Sequence, residues 1–396
     1  MEKGGITYPE GFYASAIHSG IKQRKKKDLS LILSKSPCVA AGTFTTNQFK
    51  SYSLIWSLKN INNPINAVLI NSGNANTCNG KENYQHTELL AKELSVIIEK
   101  DTSSILIAST GIIGKPLPHT SILKAMPELV KTLSPANHTL AAEGIITTDT
   151  ILKQFHTSTG IKGKHKEVAI GGMAKGAGMI NPCMATMLCF ITTDAVIERD
   201  ALQNALKEAV EKSFNMVTVD NDTSTNDMAL CLANGEAKNK TIRTGTDEYN
   251  QFLSALQTTC AELAKMIASD GEGATKLIEV TVKGGWSIKD AKRVAKRIAG
   301  SNLFKSAVYG AYPNWGRILA AAGSVNAKID VNNTAVSLCG VRVYKGAPLR
   351  YDEKKLQETM KSVKKITVEV DIKKGDFCAT AWGCDLTEDY VKINKE

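Results

Sequence analysis

The sequence predicts a layered protein of mixed α and β elements, of the α/β or α+β class, with more than one lobe. Helical and strand periodicities intermix along the whole chain. Several short apolar runs are bounded by Gly or Asn, as buried strands are. The 396 residues, at about 150 per domain, suffice for two or three lobes and a large core.

The elements follow in order. Residues 66–71 (Asn-Ala-Val-Leu-Ile-Asn) and 103–110 (Ser-Ser-Ile-Leu-Ile-Ala-Ser-Thr) read as buried strands. Between them, residues 85–100 form an amphipathic helix with Leu89, Leu90, Leu94, Ile97 and Ile98 on one face. Residues 171–178 are Gly-rich and read as a tight turn. They lack the Gly-Lys-Ser/Thr end of a phosphate loop and the third glycine of a dinucleotide fingerprint. An apolar strand follows over 184–197. Helices are expected over 200–214, 247–269 and 288–299, the last strongly basic on its outer face. Residues 365–372 alternate strictly, with Ile366, Val368, Val370 and Ile372 on one face of a strand.

Composition excludes several classes. Hydrophobic residues are 43% and charged residues 22%, ordinary for a globular protein. The N-terminal stretch lacks the apolar core of a secretory signal, and no run of 18 apolar residues occurs, so a cytoplasmic protein without membrane contact is expected. Nine cysteines at irregular spacing read as reduced core residues, with neither a disulfide framework nor a metal site. The net charge of +10 is not concentrated: the one dense basic run, Arg24 to Lys27, meets Asp28 at once and reads as a solvated loop. Aromatics, 6% of the chain, are not interleaved with basic residues, which speaks against nucleic-acid binding.

The chemistry concentrates after the Gly-rich segment, in Lys175-Gly-Ala-Gly-Met-Ile-Asn-Pro-Cys-Met-Ala-Thr186-Met-Leu-Cys-Phe-Ile-Thr-Thr-Asp194. By residue type alone, Thr186 is an ordinary β-branched strand residue. The stretch nevertheless resembles the self-cleavage site of the ornithine acetyltransferase family of arginine biosynthesis. Further family-like segments run in order along nearly the whole chain: Asn71-Ser-Gly-Asn-Ala-Asn-Thr-Cys78, Ser109-Thr-Gly-Ile-Ile-Gly114, Thr147-Thr-Asp-Thr150, residues 220–227, Asp270-Gly-Glu-Gly-Ala-Thr-Lys276, Pro313-Asn-Trp-Gly-Arg317 and Ala381-Trp-Gly-Cys-Asp385.

The resemblance implies cleavage between Ala185 and Thr186, with Thr186 as the freed nucleophile. That is chemically coherent. A threonine hydroxyl needs an adjacent base, and cleavage supplies an α-amino group of pKa about 7.7–8.0, near the operating pH. The resemblance further implies an oxyanion hole at Thr110 and Gly111, where Gly111→Ala is expected to impair transfer more than folding. It assigns substrate binding to Thr147, Lys175, Thr186, Glu272 and Asn394, with a lysine suited to an α-carboxylate and Glu272 to the cationic end of ornithine. The six histidines match none of these positions.

The implied reaction is a ping-pong transfer of acetyl from N2-acetyl-L-ornithine to L-glutamate without a cofactor. Acetyl-CoA as a further donor is left open. A self-processing amidohydrolase or aminopeptidase is the alternative. The implied fold is an αββα sandwich resembling the N-terminal-nucleophile hydrolases. Its fragments would be 1–185 and 186–396, with 286–396 as a smaller lobe, and two copies of each would make a heterotetramer. Asn221 and Tyr312 stand where the family carries Gly and Asp. After Asn394 the chain has only Lys-Glu, without the family's terminal Thr or Ser contact, so weaker substrate binding is expected.

Overall fold

The computed structural model describes residues 4–23, 25–181 and 187–395. The strands are β1 Phe12–Ile17, β2 Leu29–Phe44, β3 Ile65–Asn74, β4 Ile105–Ile112, β5 Lys153–Lys162, β6 Glu167–Lys175 and β7 Leu188–Thr193. They continue with β8 Val217–Thr218, β9 Met228–Ala233, β10 Leu277–Gly285, β11 Ala335–Leu338, β12 Val341–Lys345, β13 Lys365–Asp371 and β14 Phe377–Cys384. The described residues fall into two compact units. One lies within 1–176, 183–211 and 223–263, the other within 177–182, 212–222 and 264–396.

In the first unit the strand order is β4-β3-β2-β9-β7-β6-β5, with β1 also on β2. The long β2 serves both halves of this sheet. Leu29–Leu33 pair with β3, and Val39–Phe44 pair with β9. The register breaks between Leu33 and Cys38, where Pro37 has no N–H to give the ladder. The two halves share one core: Val68, Ile70, Leu106 and Ala108 of one meet Met173, Leu188, Phe190 and Leu230 of the other. Side chains alternate across a strand, so Ala67, Leu69, Ile105 and Ile107 face the opposite way. There they pack on Leu90 and Leu94 of helix Glu82–Ile97 and on Ile122, Met126 and Leu129 of helix His119–Lys131. Over the second half lie helix Arg199–Lys212, whose Gln203 bonds both backbone groups of Gly42, and helix Asp247–Ser269, whose Leu263 abuts Gly172. This is the αββα sandwich.

The second unit holds a six-stranded sheet, β12-β11-β13-β10-β14-β8. β13 alternates as expected, with Ile366, Val368 and Val370 buried, and runs parallel to β10. Helix Ile288–Ala299 lies on β10 and β14. The Ser287 hydroxyl caps its start by accepting from Asp290 N–H, and Ala291, Val294, Ala295, Ile298 and Ala299 form its buried stripe.

Some sequence expectations shift. The strand expected over 103–110 begins two residues later, because Thr102–Ser104 form a 3-10 turn. The strand expected over 184–197 is Leu188–Thr193, and 184–186 lie outside the described residues. Gly171 and Gly172 are no turn but sit within β6. A Cβ on Gly171 would lie 1.9 Å from the Gly5 carbonyl oxygen, so close backbone approach requires the glycine. The cysteines are not all core: Cys38, Cys189, Cys231, Cys260 and Cys384 are buried, but Cys78 and Cys378 are exposed. Asn221 adopts φ +67, a left-handed conformation that Asn tolerates in place of Gly, and its side chain bonds Gly300 O at 3.0 Å. No described helix is long and apolar enough to cross a membrane.

Candidate active site

Thr110 and Gly111 lie near the end of β4 beside β3, paired in register with Ser72 and Gly73. Thr110 is buried and Gly111 exposed. Gly111 has φ +135, and a Cβ there would lie 2.3 Å from the Gly73 carbonyl carbon, so no other residue fits without moving β3. Two of the family-like segments brace this strand end. Asn71 Oδ1 accepts from Ser109 Oγ at 2.5 Å, and Asn226 Nδ2 donates to Ser109 O at 2.8 Å and to Ala75 O at 2.6 Å.

Lys175, the last residue of β6, reaches the same place. Its Nζ lies 3.4 Å from Thr110 Oγ1 and 4.0 Å from Asp149 Oδ2. Asp149 Oδ1 accepts from Lys153 Nζ and from Gly176 N–H, both at 2.7 Å. Its Oδ2 accepts from Thr147 N–H at 3.0 Å. Burial alone would raise the Asp149 carboxyl, but the Lys175 and Lys153 ammonium groups hold it well below the usual carboxylate range. Lys22 also approaches: its Nζ donates to Ile146 O at 2.7 Å, one residue before Thr147.

Ala185 and Thr186 lie outside the described residues. Their neighbour Met187 donates its N–H to Asp227 Oδ1 at 2.9 Å. Asp227 Oδ2 has no hydrogen-bond partner among the described residues. Burial pushes this carboxyl well above its ordinary value, against the pull of the Met187 N–H and Lys175.

Glu272 and Asn394 meet in the second unit. Asn394 Nδ2 donates to Glu272 Oε2 at 2.7 Å and to Tyr390 O at 3.0 Å. The surroundings are acidic. Burial, together with Asp220, Glu272 and Asp222, pushes the Tyr390 phenol up to about 12, and such a setting attracts a cation.

Among the residues expected from the sequence, Thr110, Gly111, Lys175 and Thr147 thus form one connected group, and Glu272 with Asn394 another. Asp149, Lys153, Asp227 and Lys22 were not expected. Asp149 and Asp227 stand inside family-like segments without a role attached. For Lys153 the sequence offered only a charged residue, which a solvated surface explains equally well.

A strand-end glycine, a neighbouring hydroxyl and an ammonium group are the parts that acyl transfer uses to bind a carboxylate and hold an oxyanion. Comparison with known proteins agrees. The model of the ArgJ family matches residues 13–396. The arginine biosynthesis bifunctional protein ArgJ of Caldanaerobacter subterraneus subsp. tengcongensis is 43% identical over 397 residues, covering 99% of this chain and 98% of that protein. Its namesake in Dehalococcoides mccartyi is 45% identical over 400 residues, covering 100% and 98%. A crystal structure of the Bacillus halodurans protein of the same name is similar at a TM-score of 0.51 and 43% identity, covering 52% of this chain and 97% of that chain. The chain belongs to the ArgJ family, and its activity is acetyl transfer in arginine biosynthesis.

Proposed function

We propose that the chain cleaves itself between Ala185 and Thr186 and then carries acetyl from N2-acetyl-L-ornithine to L-glutamate on the Thr186 hydroxyl. In the first stage the hydroxyl oxygen attacks the Ala185 carbonyl carbon. The C–N bond breaks, leaving an ester and a free α-amino group, and water hydrolyses the ester to a carboxylate and the restored hydroxyl. In the second stage the α-amino group takes the hydroxyl proton as the oxygen attacks the acetyl carbonyl. Thr110 and Gly111 hold the oxyanion, and ornithine leaves with the proton on its amine. The glutamate amine then attacks the acetyl ester, the C–O bond to Thr186 breaks, N-acetyl-L-glutamate leaves, and the α-amino group carries the amine proton back to the freed Thr186 oxygen. No step needs a cofactor.

Lys175, with Thr147, takes the substrate's α-carboxylate, and the acidic setting of Glu272 with Asn394 suits a cationic group. The observation that carries this reading is the Lys175 ammonium, buried and 3.4 Å from the Thr110 hydroxyl: one group binds the substrate beside the group that stabilises its transition state. The products form a dimer of fragment pairs in the cytoplasm.

Thr186→Ala is expected to abolish cleavage and transfer, and Thr186→Ser to keep part of both because a hydroxyl remains. The check is a transfer assay with and without glutamate, with acetyl-CoA as a separate donor arm. Turnover by Thr186→Ala, or hydrolysis that ignores glutamate, contradicts the proposal.

A further inference from the structure

Asp149 has no part in the chemistry above, although it touches two of the groups that do, Lys175 and Thr147. We propose that Asp149 is a positioning residue of the acetyl-transfer site, setting the Lys175 ammonium and the Thr147 backbone where they take the substrate's α-carboxylate. The inference rests on the role given to Lys175 in the proposed function.

The geometry has three parts. First, one carboxylate ties its own segment, through the Thr147 N–H and through Lys153 at the start of β5, to a distant stretch, Lys175 and the Gly176 N–H at the end of β6. Second, the side chains of Asp149 and Lys153 are both fully inaccessible, so Lys153 meets no substrate and serves as the counterion of Asp149. Third, the two lysines are held differently. Lys153 makes the direct 2.7 Å contact, whereas Lys175 stands at 4.0 Å with its Nζ also 3.4 Å from Thr110 Oγ1. A pair needed for folding alone is complete with Lys153. Adding Lys175 to the same carboxylate lowers the cost of keeping an ammonium group charged in a buried place, where desolvation favours its neutral form. That matters for a group that must meet a carboxylate.

Removing one member of a buried ion pair strands the other, whereas removing both at similar volume is tolerated. The test variant is therefore Asp149→Asn with Lys153→Met, compared with Lys175→Met and with the triple variant. Self-cleavage, melting temperature and the kinetics of transfer from N2-acetyl-L-ornithine are read for each. Lys175→Met is expected to raise KM. The paired variant is expected to melt within a few degrees of the wild type and to raise KM about tenfold with kcat little changed, the pattern of lost substrate binding. In the triple variant the paired change is expected to add nothing, since contacting residues are coupled.

An unchanged KM in the folded paired variant overturns the inference, as does an effect that adds fully to that of Lys175→Met. If Lys175→Met itself leaves KM unchanged, the proposed role of Lys175 fails, which is a separate result. Should the paired variant not fold, Asp149→Glu, which keeps the charge but moves it by one methylene, is judged by the same KM criterion and the same Lys175→Met background.

Discussion

At Gly111 two demands meet in one residue. Its place beside Thr110 belongs, in the proposed function, to the oxyanion, and its missing Cβ belongs to β3, whose Gly73 carbonyl carbon would be 2.3 Å from that atom. Gly111→Ala is therefore not the clean catalytic probe that the sequence suggested. A positive φ and a backbone clash together cost about 1–3 kcal/mol or more, so the melting temperature is expected to fall along with turnover. Thr110→Val separates the two effects by removing the hydroxyl and keeping the shape. A kcat lowered about 10²–10³-fold, as for loss of one oxyanion donor, with nearly normal melting is expected. Normal kcat in Thr110→Val would leave that hydroxyl without a catalytic role. The roles proposed for Thr110 and Gly111 could be inferred from a resemblance to a family. The clash could not, because Gly73 is 38 positions away in sequence and becomes a neighbour only through strand pairing.

Among the elements, the end of β4 depends on segments distant in the chain. Asn226 Nδ2 holds Ser109 O and Ala75 O, joining the segment before β9 to β4 and to the loop after β3. Asn226→Ala leaves two buried carbonyls short of a donor, at about 1–3 kcal/mol each, and loosens the strand just ahead of Thr110. A lower melting temperature and reduced kcat are expected together, with KM less affected. A loss of stability with unchanged kcat would mean that this brace serves folding only. Periodicity found the elements whose patterns are strict: β13 by alternation, and helices Asp247–Ser269 and Ile288–Ala299 by their apolar faces. It misread Gly171 and Gly172, because a glycine admitting a neighbouring carbonyl and a glycine in a turn look alike in sequence. The Asp149–Lys153 pair was hidden for a related reason, since a charge signals solvent unless its buried partner is known.

On the scale of the whole molecule, two compact units are assembled from interleaved stretches of one chain, and the proposed cleavage at Ala185–Thr186 cuts that chain without following the division into units. The first unit takes residues from both sides of the cut, including β6 before it and β7 after it, which pair antiparallel through Lys175↔Leu188. The fragments are therefore held by shared strands and a shared core, and they are expected to part only on denaturation. The central claim is that the chain makes its own nucleophile and base at Thr186. Its most direct test is the intact mass of the denatured protein, taken before and after brief exposure to N2-acetyl-L-ornithine. The account predicts two polypeptides, the second beginning at Thr186 and alone gaining one acetyl group that glutamate then removes. An active protein that remains one uncut chain, or an acetyl group on any other residue, would contradict it.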